Sequence, residues 1–244
     1  GPYLYVIMEI SVLTYNIHKA IGNDRSYQPQ RIIEILKESE ADILCLQEVD
    51  FQVPRSHNDD LARKLAESLE MEYDLGLNVQ LKKGAYGNAT LSRFPIVHTE
   101  NLNITWGIKK PRGCLMSRID TPAGEIAVLN FHLGLAGFER MSQIRMILES
   151  SFLEMVRNLP VIMLGDTNDR VGKLNPILSA GGFTDTYKGN RMHSFPSYTP
   201  SPLIRIDKVF LNRRVQLLEH RVLLNKRTRV ASDHLPVLAK LKIK

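Results

Sequence analysis

The sequence has no apolar run of the roughly 20 residues that a membrane-spanning helix requires, so we expect no transmembrane segment. It also lacks internal repeats, low-complexity tracts and linkers, which favours a single folded domain over residues 1–244. We interpret Gly1 and Pro2 as the remnant of a purification tag. The residues that follow lack the basic start and small-residue cleavage site of a secretory signal, which favours the cytoplasm.

Cysteine is also scarce. Cys45 and Cys114 both stand in apolar, strand-like surroundings, so we expect two small buried side chains rather than a disulfide or a metal clip. A zinc site is disfavoured, because there is no cysteine pair and no two histidines stand at helical ligand spacing. No feature indicates an obligate protein partner, and we expect a monomer.

The charge is distributed unevenly along the chain. The 244 residues carry a net charge of +6, but residues 171–244 contain 14 Lys and Arg against 4 Asp and Glu, a net charge of +10. The first 170 residues therefore carry about −4. A basic segment favours phosphate-bearing partners such as nucleic acid or anionic lipid headgroups. A solvated surface that only keeps the protein soluble is an equally good explanation of charge alone.

Apolar runs typical of buried strands alternate with helical patterns. The sequence predicts helices over 29–39, 59–71, 138–158 and near 174–181. Met141, Ile144, Leu148 and Met155 form the expected inner stripe of the long helix. Strands are predicted over 10–18, 41–49, 86–98, 112–120, 124–133, 160–166, 203–211, 215–224 and 235–243. Many strands with few helices indicate an α+β domain in which two packed sheets have helices outside.

Polar side chains stand at the ends of several predicted strands. Asn16 and His18 follow one strand, and Asn130 and His132 follow another. Because side chains alternate along a strand, each pair is expected to share a face and to point into one cleft. Carboxylates, amides and histidines gathered in a cleft favour a hard divalent cation, which takes oxygen ligands.

Seven motifs occur in the order found in the endonuclease/exonuclease/phosphatase superfamily, the group of deoxyribonuclease I and exonuclease III, which the chain resembles. They are TYNIHKA, LQEVD, YGNATLSRFPI, LNFHLG, LGDTND, RIDKVF and SDHLPV, and they span residues 14–237. The chain looks most like a bacterial branch that carries an Arg and a Gln three apart, here Arg140 and Gln143. The resemblance implies a deoxyribonuclease I-like fold, a four-layered α/β/β/α sandwich of two packed mixed sheets with outer helices.

The resemblance also implies a metal site that takes one or two Mg²⁺ or Mn²⁺ ions. Glu48 matches the metal-binding glutamate of the family, and Asn16 matches the residue that supports this metal and the phosphate. Asp233 is expected to assist a metal. The alternative for Glu48 is a carboxylate that caps a helix or forms a salt bridge.

Five further residues take catalytic roles by the same resemblance. Asp166 matches the aspartate that orients or deprotonates the attacking water, and Asn168 matches the amide that contacts the phosphate. His234 is expected to stabilise negative charge on the phosphoryl oxygens, with Asp207 holding its ring. His132 matches a second histidine of the deoxyribonuclease I subgroup, either as an acid or as a phosphate ligand.

Three residues are candidates for substrate binding. Asn88 in YGNA is expected to contact His132, and Arg112 and Trp106 lie in the polar segment WGIKKPRGCL. Lysines of this segment could grip phosphates while Trp106 stacks on a base. Solvated loop charges account for the lysines equally well.

Together these residues predict a metal-dependent phosphodiester hydrolase, most similar to a nuclease acting on DNA or RNA. The basic residues around RIDKVF favour nucleic acid as the substrate: Arg205, Lys208, Arg213 and Arg214. The alternatives are a phospholipid or sphingomyelin-type phosphodiesterase and an inositol-phosphate or small-molecule phosphatase. A non-catalytic binding module is the contrary hypothesis.

Overall fold

A computed structural model of the chain describes residues 7–187, 189 and 193–243. It contains twelve strands: β1 (Met8–Asn16), β2 (Ile43–Phe51), β3 (Glu72–Gln80), β4 (Ala85–Ser92), β5 (Ile96–Asn103), β6 (Gly113–Thr121), β7 (Gly124–His132), β8 (Val161–Asp166), β9 (Thr184–Asp185), β10 (Asp207–Leu211), β11 (Val215–Val222) and β12 (Val237–Ile243). The helices are α1 (Pro29–Ser39), α2 (Leu61–Leu69), α3 (Gly137–Leu148), α4 (Ser151–Met155), α5 (Asn175–Ala180) and α6 (Lys226–Ala231). Within these ranges no helix is long and apolar enough to cross a membrane.

The strands form two six-stranded mixed sheets. The first sheet has the order β11-β12-β1-β2-β4-β3, and the second has the order β5-β6-β7-β8-β10-β9. In each sheet the central pair is parallel, β1 with β2 and β7 with β8, while the other pairs are antiparallel. Side chains alternate between the two faces of each strand, so each sheet presents one apolar face to its partner and one to the helices.

Three apolar clusters fill the spaces between the layers. One lies between the sheets and includes Val12, Val128 and Leu164. A second packs α1 and α2 on the outer face of the first sheet, and a third packs α3, α4 and α5 on the outer face of the second. This arrangement confirms the predicted α/β/β/α sandwich.

A buried polar contact joins the two sheets. Gln47 of β2 donates from Nε2 to Oδ1 of Asn130 in β7 at 2.9 Å, and Asn130 donates from Nδ2 to the backbone oxygens of Leu46 and Ala89 at 3.2 and 3.0 Å. Both side chains are fully buried. Asn130 therefore fixes the position of one sheet on the other and does not open into the cleft that its spacing from His132 predicts.

The predicted long helix over 138–158 is wrong, because it is interrupted after Leu148. Ser150 has an extended backbone, and its side chain accepts a hydrogen bond from the Leu153 amide, so it caps a separate helix α4. Ile144 is buried as predicted, but Met155 is 54% exposed. The predicted strand over 86–98 is likewise two strands, β4 and β5, separated by a turn at residues 93–95.

Three elements of the structure were not predicted, one of which is the two-residue strand β9 at the edge of the second sheet. Strand β3 forms the edge of the first sheet, and α6 is a single short helix whose N-terminus is capped by Asn225 and Thr228. His18 also departs from prediction, because β1 ends at Asn16 and His18 begins a tight turn with a positive φ of 47°. His18 therefore does not continue the strand face of Asn16.

Candidate active site

The candidate site lies where the ends of both sheets meet. In the second sheet, His132 at the end of β7 pairs in register with Asp166 at the end of β8, and Asp166 pairs with Asp207 at the start of β10. In the first sheet, Asn16 ends β1 and Glu48 lies in β2 beside it. The buried strands thus deliver polar side chains from both sheets to one place.

Asp166 is the centre of this group. Its Oδ2 accepts a hydrogen bond from Asn16 Nδ2 at 3.1 Å and lies 3.2 Å from His132 Nε2 and 3.5 Å from His234 Nε2. Burial raises the pKa of Asp166, but the two histidines and the Asn16 hydrogen bond outweigh it, so its pKa lies well below the ordinary value. Asp166 is therefore a carboxylate at neutral pH.

His234 is held between two carboxylates. Its Nδ1 lies 2.8 Å from Asp207 Oδ2, which also accepts a hydrogen bond from the Ser194 hydroxyl at 2.7 Å. Burial lowers the pKa of His234, but the negative charges of Asp207 and Asp166 raise it by more than burial lowers it. The resulting pKa of His234 is about 10. With Nδ1 bound to Asp207, the ring presents Nε2 to the cleft beside Asp166.

Glu48 reaches the cleft through an irregularity in β2. The register with β4 shifts between Leu46 and Val49, and Glu48 takes a left-handed backbone conformation with φ 53°. Burial raises the pKa of Glu48, but nearby His132, His18 and Lys19, with a hydrogen bond from Asn16, make the net shift a lowering. The Asn16 side chain therefore donates a hydrogen bond to Asp166 and favours the charged form of Glu48.

Lys19 is a residue of this site that the sequence analysis missed. His18, Lys19 and Ala20 all have positive φ values, 47°, 60° and 59°, which is a rare conformation for residues with side chains. Burial lowers the pKa of Lys19, while the charges of Glu48 and Asp233 oppose that lowering. The only sequence signal for this residue is that a lysine follows YNIH. A left-handed backbone conformation at residues other than glycine cannot be recognised from the sequence.

Ser232 is a second residue that sequence reasoning missed. Its hydroxyl donates to the backbone oxygen of Asn16 at 2.6 Å and accepts from the His234 amide at 3.2 Å. It therefore ties the end of β1 to the segment that carries His234. Asp233 is half-buried and lies 3.4 Å from the Ser232 hydroxyl.

The donor set at Glu48 fits a hard divalent cation. Within the part of the chain that the structure describes, no Lys, Arg or His nitrogen lies within 4.0 Å of the Glu48 carboxylate, although it is largely buried and ionised. A buried carboxylate without a close cation is costly unless it binds a metal. Ligand atoms of Asp166, Asp207 and His234 also lie within 4.8 Å of one another, but these groups already hydrogen-bond with their neighbours.

Asn168 is held rigidly beside Asp166. Its amide nitrogen donates to Asp166 Oδ1 at 3.0 Å, and its side-chain Nδ2 donates to the backbone oxygen of Leu133 at 2.7 Å. Its φ of 50° is left-handed, which asparagine tolerates better than most residues. Asn168 therefore lies beside Asp166, with its side-chain amide anchored to the residue that follows β7.

Two of the three substrate-binding candidates lie in the cleft. A small pocket is lined by Glu48, His132, Asn88 and Arg112, among others. Asn88 donates from Nδ2 to the Gly113 backbone oxygen at 3.1 Å. Arg112 is 8% exposed, and its Nε has no hydrogen-bond partner within the described residues. A buried guanidinium without an acceptor is a suitable anion site.

Trp106 does not line this pocket. It lies on the loop between β5 and β6, is 40% exposed, and packs edge-on against Phe138 with ring centroids 4.9 Å apart. Lys109 lies over the Phe138 ring at 5.7 Å, and Lys110 lies over Tyr86 at 5.4 Å. The tryptophan therefore belongs to the rim of the cleft rather than to its interior.

The basic residues around RIDKVF do not supply positive charge to the cleft, contrary to our prediction. Arg205 forms a bidentate ion pair with Asp185, with distances of 3.1 and 2.6 Å. Lys208 is 1% exposed and lies 3.6 Å from the buried Asp169. Arg213 and Arg214 follow β10, at the opposite end of that strand from Asp207. This geometry removes the charge argument for nucleic acid.

Comparison of the chain with known proteins identifies its family. Residues 13–234 match the model of the Endonuclease/Exonuclease/phosphatase family. The protein YbhP of Escherichia coli strain K12 is 31% identical over 245 aligned positions, which cover 94% of this chain and 95% of YbhP.

Solved structures with the same fold carry different titles. The mannosyl-6-phosphatase of Bacteroides thetaiotaomicron has a TM-score of 0.76 at 22% identity, covering 95% of this chain and 99% of that one. TDP2 of D. rerio, solved with a single-strand DNA product, has a TM-score of 0.73 at 17% identity, covering 96% and 98%. The chain therefore belongs to the Endonuclease/Exonuclease/phosphatase family of hydrolases that cleave phosphoester bonds.

Proposed function

We propose that the protein is a divalent-metal-dependent phosphodiester hydrolase. The observation that carries this proposal is the convergence of Asn16, His132 and His234 on one buried carboxylate, Asp166, beside Glu48. A structural carboxylate would need one cationic partner. Two histidines and an amide around a single ionised oxygen, at the mouth of a cleft, are typical of a group that positions a reactant.

Each residue has a role that its position supports. Asp166 accepts a hydrogen bond from the attacking water and orients or deprotonates it, while the His234 imidazolium, fixed by Asp207, neutralises charge that develops on the phosphoryl oxygens. Hydrolysis forms a bond between the water oxygen and phosphorus, breaks the bond to the leaving oxygen, and returns a proton to that oxygen. His132 or a second water is the donor of this proton.

Glu48 is the proposed ligand for Mg²⁺ or Mn²⁺, with Asp233 and Asn16 supporting it. A bound metal supplies charge that polarises the phosphoryl group and stabilises the departing oxygen. Asn16 donates to Asp166 and favours the charged form of Glu48, and it therefore lies between the metal side and the water side of the site. Asn168 holds Asp166 through its backbone nitrogen, and the second hydrogen of its anchored Nδ2 is assigned to the phosphate.

Substrate contacts are assigned to the pocket beside these groups. Arg112 offers an unpartnered guanidinium to a phosphoryl oxygen, and Asn88 holds the Gly113 backbone that follows Arg112. Nucleic acid is one substrate candidate, supported by Trp106 with Lys109 and Lys110 at the rim, where a base could stack. A phospholipid headgroup is the second candidate, favoured by the exposed apolar residues of the same rim.

The test is an activity panel with a metal switch. Bis-(p-nitrophenyl) phosphate, circular, linear and abasic-site DNA, RNA, phospholipids and small phosphomonoesters are assayed with Mg²⁺, with Mn²⁺ and with chelator. The expected result is turnover of at least one phosphodiester that stops with chelator and resumes with metal. If no substrate of the panel shows metal-dependent turnover, the chain is a non-catalytic binding module and the proposal is wrong.

A further inference from the structure

The loops at one end of the strands of the second sheet surround the candidate site. Segment 104–112 joins β5 to β6, 133–136 follows β7, 167–174 follows β8, and the described segment 193–206 precedes β10. The register places the ends of these strands side by side, because His132 pairs with Asp166 and Asp166 pairs with Asp207. These loops therefore lie along the same edge as the catalytic residues.

Exposed apolar side chains are concentrated on these loops and on the first turn of α3. We name them the catalytic-edge patch: Trp106, Ile108, Leu135, Phe138, Val171 and Leu203. Ile108 is fully exposed, and Leu135 and Val171 are 76% and 74% exposed. Exposed apolar groups that cluster around a functional site mark an interaction surface, whereas single ones need no explanation.

The charged residues exposed on these loops have one sign. Segments 104–112, 133–140, 167–174 and 193–206 contain only two acidic residues, Glu139 and Asp169, and both are buried. The exposed charged residues of these segments include Lys109, Lys110, Arg170 and Lys173. The patch is therefore an apolar surface within a positive field, which complements an anionic surface.

The patch is chemically suited to lipid rather than to nucleic acid. Aliphatic tips such as Ile108 and Leu135 gain little from a phosphate backbone, and only Trp106 and Phe138 could stack on bases. A bilayer interface buries aliphatic side chains, accommodates tryptophan at the headgroup level and attracts lysines when its lipids are anionic.

We propose that the catalytic-edge patch docks the protein onto an anionic phospholipid surface. Docking there brings Arg112, the last residue of segment 104–112, and His132, which immediately precedes segment 133–136, to the headgroup plane. Resting on the proposed phosphodiesterase function, this makes a phospholipid headgroup diester the substrate class. Water adds its oxygen to phosphorus, the bond to one ester oxygen breaks, and that oxygen leaves as an alcohol carrying a proton.

Trp106 is the sole tryptophan of the sequence, so its fluorescence reports on the patch directly. The experiment titrates the full chain with vesicles of phosphatidylcholine alone and with vesicles that also contain phosphatidylglycerol, and it measures both emission wavelength and co-sedimentation. The Asp166→Asn variant is included, so that binding is measured without hydrolysis. The expected result is a blue shift and co-sedimentation with the anionic vesicles for both proteins.

Two double variants test which residues carry the binding. Ile108→Asp with Leu135→Asp should weaken vesicle binding about tenfold or more, because both apolar side chains lose their burial. The control, Val97→Asp with Met155→Asp, changes two other exposed apolar residues, 49% and 54% exposed, that lie outside the patch, and this variant should bind as wild type. Both double variants should hydrolyse a soluble diester at the wild-type rate, because none of these residues contacts the site.

Lys109→Gln with Lys173→Gln is expected to weaken binding about fivefold per lysine on anionic vesicles. The proposal is overturned if wild type binds neither kind of vesicle. It is also overturned if the Ile108→Asp/Leu135→Asp variant binds vesicles as tightly as the Val97→Asp/Met155→Asp variant. It is also overturned if the edge variants lower affinity for an oligonucleotide and leave vesicle binding unchanged. Because binding is measured on an inactive variant too, a failure of docking is distinct from a failure of the proposed hydrolase activity.

Discussion

At the scale of single residues, the site depends on one oxygen atom. Asp166 Oδ2 receives an amide nitrogen and two imidazole nitrogens, all within 3.5 Å. These three contacts fix the carboxylate in one orientation. A small chemical change at this atom should therefore lower the rate of the reaction far more than it lowers the stability of the fold.

We therefore predict that Asp166→Asn lowers the turnover of a phosphodiester by about 10²- to 10⁴-fold, because the amide cannot accept the proton of the attacking water. The measurement is kcat on the best substrate of the activity panel, with circular dichroism to check the fold. Asp120→Asn is the control, since Asp120 is exposed at the end of β6 away from the site. Activity within a few-fold of wild type would show that Asp166 has a different role.

Glu48 supports a second prediction, on metal binding. Glu48→Gln keeps the size of the side chain but removes its charge, so the metal concentration that gives half-maximal activity should rise by about tenfold or more. Activity is titrated with Mg²⁺ and Mn²⁺ for both proteins. An unchanged metal requirement would place the ion elsewhere, for example at Asp166 and Asp207.

At the scale of elements, close backbone approach positions the site. Gly165 precedes Asp166 in β8, and a Cβ at this position would lie 1.9 Å from the Phe131 backbone oxygen. The two parallel strands β7 and β8 could not keep their spacing around such a group, and His132 and Asp166 would move apart.

We predict that Gly165→Ala lowers the free energy of unfolding by more than about 3 kcal/mol, and that the folded fraction has little activity. Denaturant titration and kcat measure the two effects. Gly137→Ala is the control, because its new Cβ would meet only Arg140 Nη2, at 3.8 Å. Equal stability of both variants would contradict the packing argument.

The break between α3 and α4 allows a smaller prediction. Ser150→Ala removes the side chain that accepts from the Leu153 amide, and we expect a loss of about 1 kcal/mol of stability. Ser151→Ala, one residue later and exposed, should have almost no effect. Thermal unfolding of the two variants distinguishes a real cap from a simple loss of a surface hydroxyl.

The sequence predicted elements with strong apolar runs and missed those with weaker ones. α1 begins and ends where Pro29 and its apolar stripe predict, because burial of Ile32, Ile33 and Leu36 determines it. β3 was missed although residues 72–80 alternate polar and apolar side chains, a signal that could have identified this half-buried edge strand. The break at Ser150 could not be seen by periodicity, because the apolar pattern continues across it.

At the scale of the whole molecule, motif order predicted which polar residues meet, but not how they are linked. The resemblance brought Glu48, Asp166 and His234 together, as the structure has them. Lys19 and Ser232 were missed, because their roles follow from left-handed backbone and from long-range contacts that sequence spacing does not reveal. The prediction that the basic residues around RIDKVF bring positive charge to the cleft was wrong, because net charge does not tell which cations are already paired, as Arg205 and Lys208 are.

Metal binding should also be visible in the stability of the whole chain. An ion that binds only the folded state stabilises it by about 2.7 kcal/mol at about a hundred times its Kd, so Tm should rise with added Mn²⁺ or Mg²⁺. The rise should disappear with chelator and be much smaller in Glu48→Gln. A Tm that ignores metal in wild type, at concentrations that support activity, would contradict binding at Glu48.

The contact between Gln47 and Asn130 has a consequence for how the molecule fails. The proposed metal residues Asn16 and Glu48 come from one sheet and the water-positioning residue Asp166 from the other, so turnover requires both sheets to keep their mutual alignment. Activity is thus a gauge of that alignment. If warming or dilute denaturant loosens the packing between the two sheets, activity should be lost while every strand is still intact.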